Sequence, residues 1–205
     1  MKKKEFSSQL IDAAGKGDLL LVRRLLDQGA EVNVKLRDGL TPLMGAATSG
    51  QREIVKELLS KGATVDLRDN RGMTALMMAA GMGRCETVKA LIEGGADVRA
   101  RNTSGMALFS GYTALMHAAQ KCGVECVKEL LAAGAELDAQ DDRGETALMK
   151  SAFWGNRDVV SALLTARADP KIQDKEGRTA VTIAEKIGQT KIADLLRQTW
   201  LTPLD

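Results

Sequence analysis

The chain has one histidine, His117, and three cysteines, Cys85, Cys122 and Cys126. Nucleophilic or metal chemistry would have to be built from these. A Cys–His dyad needs the two side chains within hydrogen-bond reach. Cys122 lies five residues after His117, about 140° further round a helix, and is expected in the turn beyond it. Zinc asks for paired Cys or His ligands in tight clusters, and Cys122 and Cys126 do not make one. Cys126 falls at an apolar helix position and is expected in the core; Cys85 sits early in another helix, partly exposed. No catalytic residue, metal or cofactor is therefore assigned. An enzyme-associated or metal-binding protein using His117 and Cys122 is the second reading. An odd cysteine count without a disulfide framework favours a reducing compartment, so the chain is expected to be cytoplasmic.

Other candidate motifs dissolve on inspection. Gly15-Lys16-Gly17 and Gly81-Met82-Gly83 are read as turns of a repeat rather than phosphate loops. Asp69 and the pair Asp141-Asp142 are read as turn formers. The 205 residues carry 29 basic and 27 acidic side chains, a net charge of +2 that asks for neither nucleic acid nor an anionic membrane as partner. The start, Met1-Lys2-Lys3-Lys4, resembles the charged end of a signal peptide, but Glu5, Ser7, Ser8, Gln9 and Asp12 interrupt the apolar stretch that should follow. No run approaches the ~18 apolar residues of a membrane span.

What positions these side chains is a repeat. Thr41-Pro42-Leu43-Met44 recurs as Thr74-Ala75-Leu76-Met77, Thr113-Ala114-Leu115-Met116 and Thr146-Ala147-Leu148-Met149, then in weaker form as Thr179-Ala180-Val181-Thr182; the steps are 33, 39, 33 and 33 residues. Gly29-Ala30, Gly62-Ala63, Gly95-Ala96, Gly134-Ala135 and Arg167-Ala168 step by 33, 33, 39 and 33. Both markers lengthen at the same place. Each Thr suits a helix N-cap, and Pro42 suits the first helical position. Ala46-Ala47, Ala79-Ala80 and Ala118-Ala119 let neighbouring helices approach closely, and with aromatics at only 3% the core must be built this way. Ile54, Val55, Leu58 and Leu59 mark the apolar stripe of a second helix. The glycine of each Gly-Ala pair ends that helix in a left-handed conformation.

These segments resemble the ankyrin repeat, and the resemblance covers about residues 7–198. It implies an all-α solenoid of helix–turn–helix units joined by hairpin-like loops, a single domain spanning 1–205. The units fall at about 7–33 (an N-terminal cap), 34–66, 67–99, 100–138, 139–171 and 172–198 (a C-terminal cap). The fourth carries six extra residues within Asn102–Tyr112, with Met106, Leu108, Phe109 and Tyr112 on what should be an exposed finger. Either the finger folds back and buries Leu108 and Phe109, or it reaches into a partner. Met replaces the family's motif His in four units, so the loops are expected to be less rigid. Arg167 stands where a left-handed glycine is wanted, and Pro170 follows where Val is usual, so that junction is expected to be irregular.

The resemblance also implies a function: an intracellular adaptor, inhibitor or assembly factor that binds another protein through its concave face and hairpin tips, as a monomer. Residues expected to meet the partner are Arg71, Met78, Phe109, Tyr112, His117, Lys121, Arg143, Lys150, Phe153 and Trp154. Phe153-Trp154 draws most notice in so aromatic-poor a chain, with Trp154 either exposed in the groove or packed under the next repeat. The slight excess of Lys and Arg favours an acidic partner surface.

Overall fold

The structure, a computed structural model, describes residues 2–103, 110–121 and 123–201, with side chains from Phe6 to Gln198. Phe109, Cys122 and the tail from Trp200 lie outside the described side chains. Among the described residues there are twelve helices and no strand. They form two rows. The first holds α1 (Lys2–Lys16), α3 (Pro42–Ser49), α5 (Ala75–Gly81), α7 (Ala114–Gln120), α9 (Ala147–Phe153) and α11 (Ala180–Lys186). The second holds α2 (Leu19–Asp27), α4 (Arg52–Ser60), α6 (Cys85–Glu93), α8 (Val124–Ala132), α10 (Arg157–Thr165) and α12 (Thr190–Leu201). Each helix packs on its pair mate and on the next helix of its own row, so burial is supplied by neighbours only, as in other repeat stacks.

Local chemistry sets these elements as the sequence implies. The hydroxyls of Thr41, Thr74, Thr113, Thr146 and Thr179 each accept a hydrogen bond from the N–H three residues on, capping α3, α5, α7, α9 and α11. The alanine pairs are fully buried, and Met44, Met77, Met116 and Met149 pack beside them. In the second row Val55 and Leu58, Val88 and Leu91, Val127 and Leu130, and Val160 and Leu163 form the buried stripe. Gly29, Gly62, Gly95 and Gly134 have φ between 83° and 87°, and Arg167 adopts the same left-handed conformation at φ 71°.

Two expectations fail, each for a visible reason. The Arg167–Pro170 junction is regular. Ala168 N–H donates to Leu163 O as Ala135 N–H does to Leu130 O, both at 3.0 Å. Asp138 accepts from Asp169 N–H at 3.1 Å as Asp66 does from Asp97 N–H. A donor-less residue fits at Pro170 because these bonds use its neighbours. The cysteines also differ from expectation: Cys85 of α6 and Cys126 of α8 are joined in a disulfide, with Cα atoms 4.7 Å apart. Their separation of 41 residues in sequence hid the fact that a 39-residue unit step puts them on adjacent faces of stacked second-row helices.

The hairpins are tied by a device other than histidine. Lys35 Nζ donates to Arg68 O at 3.0 Å, Arg68 Nη1 to Arg101 O at 2.5 Å, Arg101 Nη1 to Gln140 O at 2.5 Å, and Gln140 Nε2 to Gln173 O at 3.1 Å. One long polar side chain per unit reaches the carbonyl at its own repeat position in the next unit. Backbone bonds run beside this ladder, from Asn70 N–H to Asp38 O and from Lys175 N–H to Arg143 O. Loops lacking the family's histidine are thus cross-linked all the same.

Candidate functional site

Each hairpin is folded by one side chain at its base. Asp69 Oδ1 accepts from Arg71 and Met73 N–H, both at 2.8 Å; Asp141 does the same for Arg143 and Glu145, and Asp174 for Glu176 and Arg178. These aspartates are the turn formers expected from their spacing. In the lengthened unit Asn102 takes this part. Its Oδ1 accepts from Tyr112 N–H at 2.7 Å, and its backbone bonds Gly111 and Tyr112 at 3.0 Å. The six extra residues therefore leave the base of the hairpin intact. The finger between, with Phe109, lies outside the described residues.

This register sets two columns of side chains on one face. From the hairpins come Leu40, Met73, Tyr112, Glu145 and Arg178; from the first-row helices come Gly45, Met78, His117, Lys150 and Ile183. Between them lie two adjoining hollows. The first, about 630 Å³, is lined from α1, α3, α5 and α7 and takes in Arg71, Met78, His117 and Lys121. The second, about 290 Å³, takes in Tyr112, Arg143, Lys150, Phe153 and Trp154. Gln120 lines both. Every described residue picked from sequence as a partner contact thus falls on one of these hollows.

They do not all present themselves alike. Phe153 and Trp154 are 50% and 56% exposed and meet edge to face, ring centroids 5.6 Å apart. Trp154 is therefore on the surface and not under the next repeat. Met82 and Ile187, at the matching helix ends of other units, are exposed too. Lys121 stands on the same edge with no carboxylate in ion-pair reach among the described residues. Arg71 is exposed, and Arg143 half-buried. Met78, Tyr112 and Lys150, by contrast, are buried. They form the floor of the face and do not project from it.

Lys150 is buried because it is fully partnered. Its Nζ contacts Asp141 Oδ2 at 2.7 Å and Glu145 Oε2 more closely still, donates to Tyr112 Oη at 2.7 Å, and lies 4.3 Å from the centre of that ring. Burial works to lower its pKa. The hydrogen bonds with Asp141, Glu145 and Tyr112 outweigh burial and hold it above the ordinary lysine value. Arg143 and Arg178 close the cluster on Glu145 at 3.2 and 3.1 Å.

His117 is the reverse case. Its ring lies 5.3 Å from that of Tyr112, and its Nε2 is out of water with no hydrogen-bond partner. Burial, then the positive charges of Lys150 and Arg71, lower its pKa to about 4. It is a neutral ring at physiological pH. Cys122 lies outside the described residues, and among those described no three His, Cys, Asp or Glu groups gather as a metal site would require. Nor is any described helix long and apolar enough to cross a membrane.

Sequence reasoning missed what makes the first hollow. Gly15, expected from sequence in a turn, lies within α1, and Gly81 is the last residue of α5. With Gly45 they remove three side chains from one stretch of the face. The signal was legible at Gly45, which aligns with Met78, His117 and Lys150.

Comparison with known proteins accords with this geometry. A family model described as ankyrin repeats (3 copies) matches residues 10–102 and again 100–174. Among solved structures 614 chains match, so likeness of fold alone selects no partner. One of them is 33% identical, with a TM-score of 0.83, over 92% of this chain and 96% of its own length. It belongs to the complex of the predatory endopeptidase Bd0816 from Bdellovibrio bacteriovorus with immunity protein Bd3460. No curated protein matches the chain.

Proposed function

Because this chain belongs to the ankyrin-repeat family, a family of protein-binding modules, we propose that it captures a partner protein on the face carrying the two hollows, and that this partner is an endopeptidase. The observation that carries the proposal is the exposed edge formed by Met82, Lys121, Phe153, Trp154 and Ile187. Large apolar side chains held in water by a rigid stack are characteristic of an interface, and Trp with nearby cations is typical of its energetic centre. The class of partner is inferred from the endopeptidase–immunity complex, whose matched chain shares this fold over 96% of its length. A stack of helix pairs in which no catalytic groups converge among the described residues corresponds to the immunity half. The chain then acts by binding as a monomer, with no catalysis or cofactor of its own, and prefers an acidic partner surface.

We infer further that it works in an oxidising compartment. Unpaired cysteines would favour the cytoplasm, whereas the Cys85–Cys126 bond supports the other environment. The test of function is calorimetric titration of the full chain against purified Bd0816, followed by its peptidase activity. Binding is expected, with Trp154→Ala weakening it by roughly 30-fold or more while leaving the melting temperature unchanged. Equal binding by this variant, or none by the native chain, would refute the assignment.

A further inference from the structure

We propose that the larger hollow, between α1, α3, α5 and α7, is a socket for a short acidic–aliphatic loop of the partner protein. The proposal rests on the protein-binding reading above and specifies what that face takes in.

The socket is built by subtraction. At Gly15 an added Cβ would meet nothing nearer than 4.0 Å, and at Gly81 nothing nearer than His117 at 3.7 Å. Both sites would accept a Cβ that the sequence withholds. The walls are Ile11, Leu40, Met73, Met77, Met78 and Met82. Methionines are unbranched and polarisable, and they mould to aliphatic groups. The hollow's volume of about 630 Å³ suits a short peptide segment. Its form suits an extended occupant over a compact one, since it continues past Gln120 into the second hollow. The Gln120 amide there offers both a donor and an acceptor to a crossing main chain.

Charge selects the rest. Asp12 is engaged by Lys16 at 2.7 Å, and Arg71 is engaged by Asp69 at 3.1 Å. His117 is neutral, so Lys121 is left as the uncompensated charge on the rim among the described residues. A carboxylate flanking the aliphatic residues meets it there, on a surface where a cation in the same place would be repelled.

The test uses the full chain labelled at methionine methyl groups, titrated by NMR with the capped peptide Asp-Leu-Leu-Glu. Saturable shifts are expected at the Met78 and Met82 methyls. Lys-Leu-Leu-Lys and Asp-Ser-Ser-Glu should give none. Gly15→Leu should abolish the response, while keeping or raising the melting temperature, because it fills open space within a helix. No shift at about 5 mM peptide, the millimolar range of weak binding, equal shifts with the control peptides, or an unaltered response in Gly15→Leu would overturn the proposal. Titration of Bd0816 with Gly15→Leu and Trp154→Ala separates the two readings. Release by Trp154→Ala alone sinks the socket and leaves the binding face standing. Release by neither sinks both, and release by each supports both.

Discussion

Replacing Lys150 with Met should destabilise the protein more than any other single change on this face. The substitution keeps the length and apolar body of the side chain and removes only the ammonium. Asp141 Oδ2 then loses the cation 2.7 Å away, in a side chain with no exposure to water. Asp141 Oδ1 keeps its two hairpin N–H donors, and Glu145 keeps Arg143 and Arg178, so the loss is partial. Breaking one buried ion pair by deleting a partner costs about 3–5 kcal/mol, and with those donors retained the lower end, about 3 kcal/mol, is expected. At about 2–4 °C per kcal/mol for a chain of this size, the midpoint should fall by roughly 6–12 °C. The sign with pH is fixed as well. A lysine held above its ordinary value of 10.5 contributes fully below that pH and loses its contribution only as pH rises past it. The gap between native and variant should therefore be constant from pH 6 to 9. Tyr112→Phe, which removes one hydroxyl acceptor and keeps the ring, should cost about 1 kcal/mol. Since units depend only on neighbours, hydrogen exchange should show the Lys150→Met loss concentrated from α7 to α12. A deficit under about 1 kcal/mol, or one spread evenly along the stack, would refute the claim that this cluster locks the fourth, fifth and sixth pairs together.

Three further outcomes follow from the same structure. Arg167→Gly relieves a left-handed side chain at φ 71° and should raise stability by about 0.5–1 kcal/mol, read as a higher denaturant midpoint with an unchanged slope. His117 has its pKa lowered from 6.5 to about 4. The unfolded chain alone binds that proton between those values, so stability should fall by roughly 3 kcal/mol as pH drops from 6.5 through 4, and His117→Gln should flatten the profile measured by urea titration. Reduction of Cys85–Cys126 opens a loop of about 41 residues and should lower stability by up to about 4 kcal/mol; alkylation in denaturant, without and with reductant, should label these two thiols only in the second case.

How much of this was legible in the sequence depends on the range of the interaction. Threonine caps, alanine contacts and left-handed glycines act within a turn or between adjacent units, and a 33-residue period displays them directly. The pairing of Cys85 with Cys126 was hidden because it is a contact between units read across the one lengthened step. The ladder of Lys35, Arg68, Arg101, Gln140 and Gln173 was hidden for a different reason. Its first four members share a role, a long donor reaching the next carbonyl, but not an amino-acid type, and Gln173 closes it as an acceptor through its main-chain oxygen. Lys150 and Tyr112 read as free contacts because composition cannot tell a projecting lysine from one turned inward onto Asp141 and Glu145.

The two columns facing the hollows show how one fold acquires a particular surface. Caps, alanines and second-row stripes repeat, so they cannot distinguish one part of the face from another. The columns do not repeat. Along the first-row helices the side chain changes from Gly45 through Met78 and His117 to Lys150 and Ile183, while the hairpins change from Leu40 and Met73 to Tyr112, Glu145 and Arg178. Toward the N-terminal end these choices leave an apolar space. Toward the C-terminal end they fill the same space with an ion cluster and leave Phe153 and Trp154 on its rim. A partner therefore meets a socket that can adapt and a platform that cannot. On that account, exchanging Met78 for a larger side chain should alter which loop is accepted, whereas loosening the Lys150 cluster should weaken every partner alike.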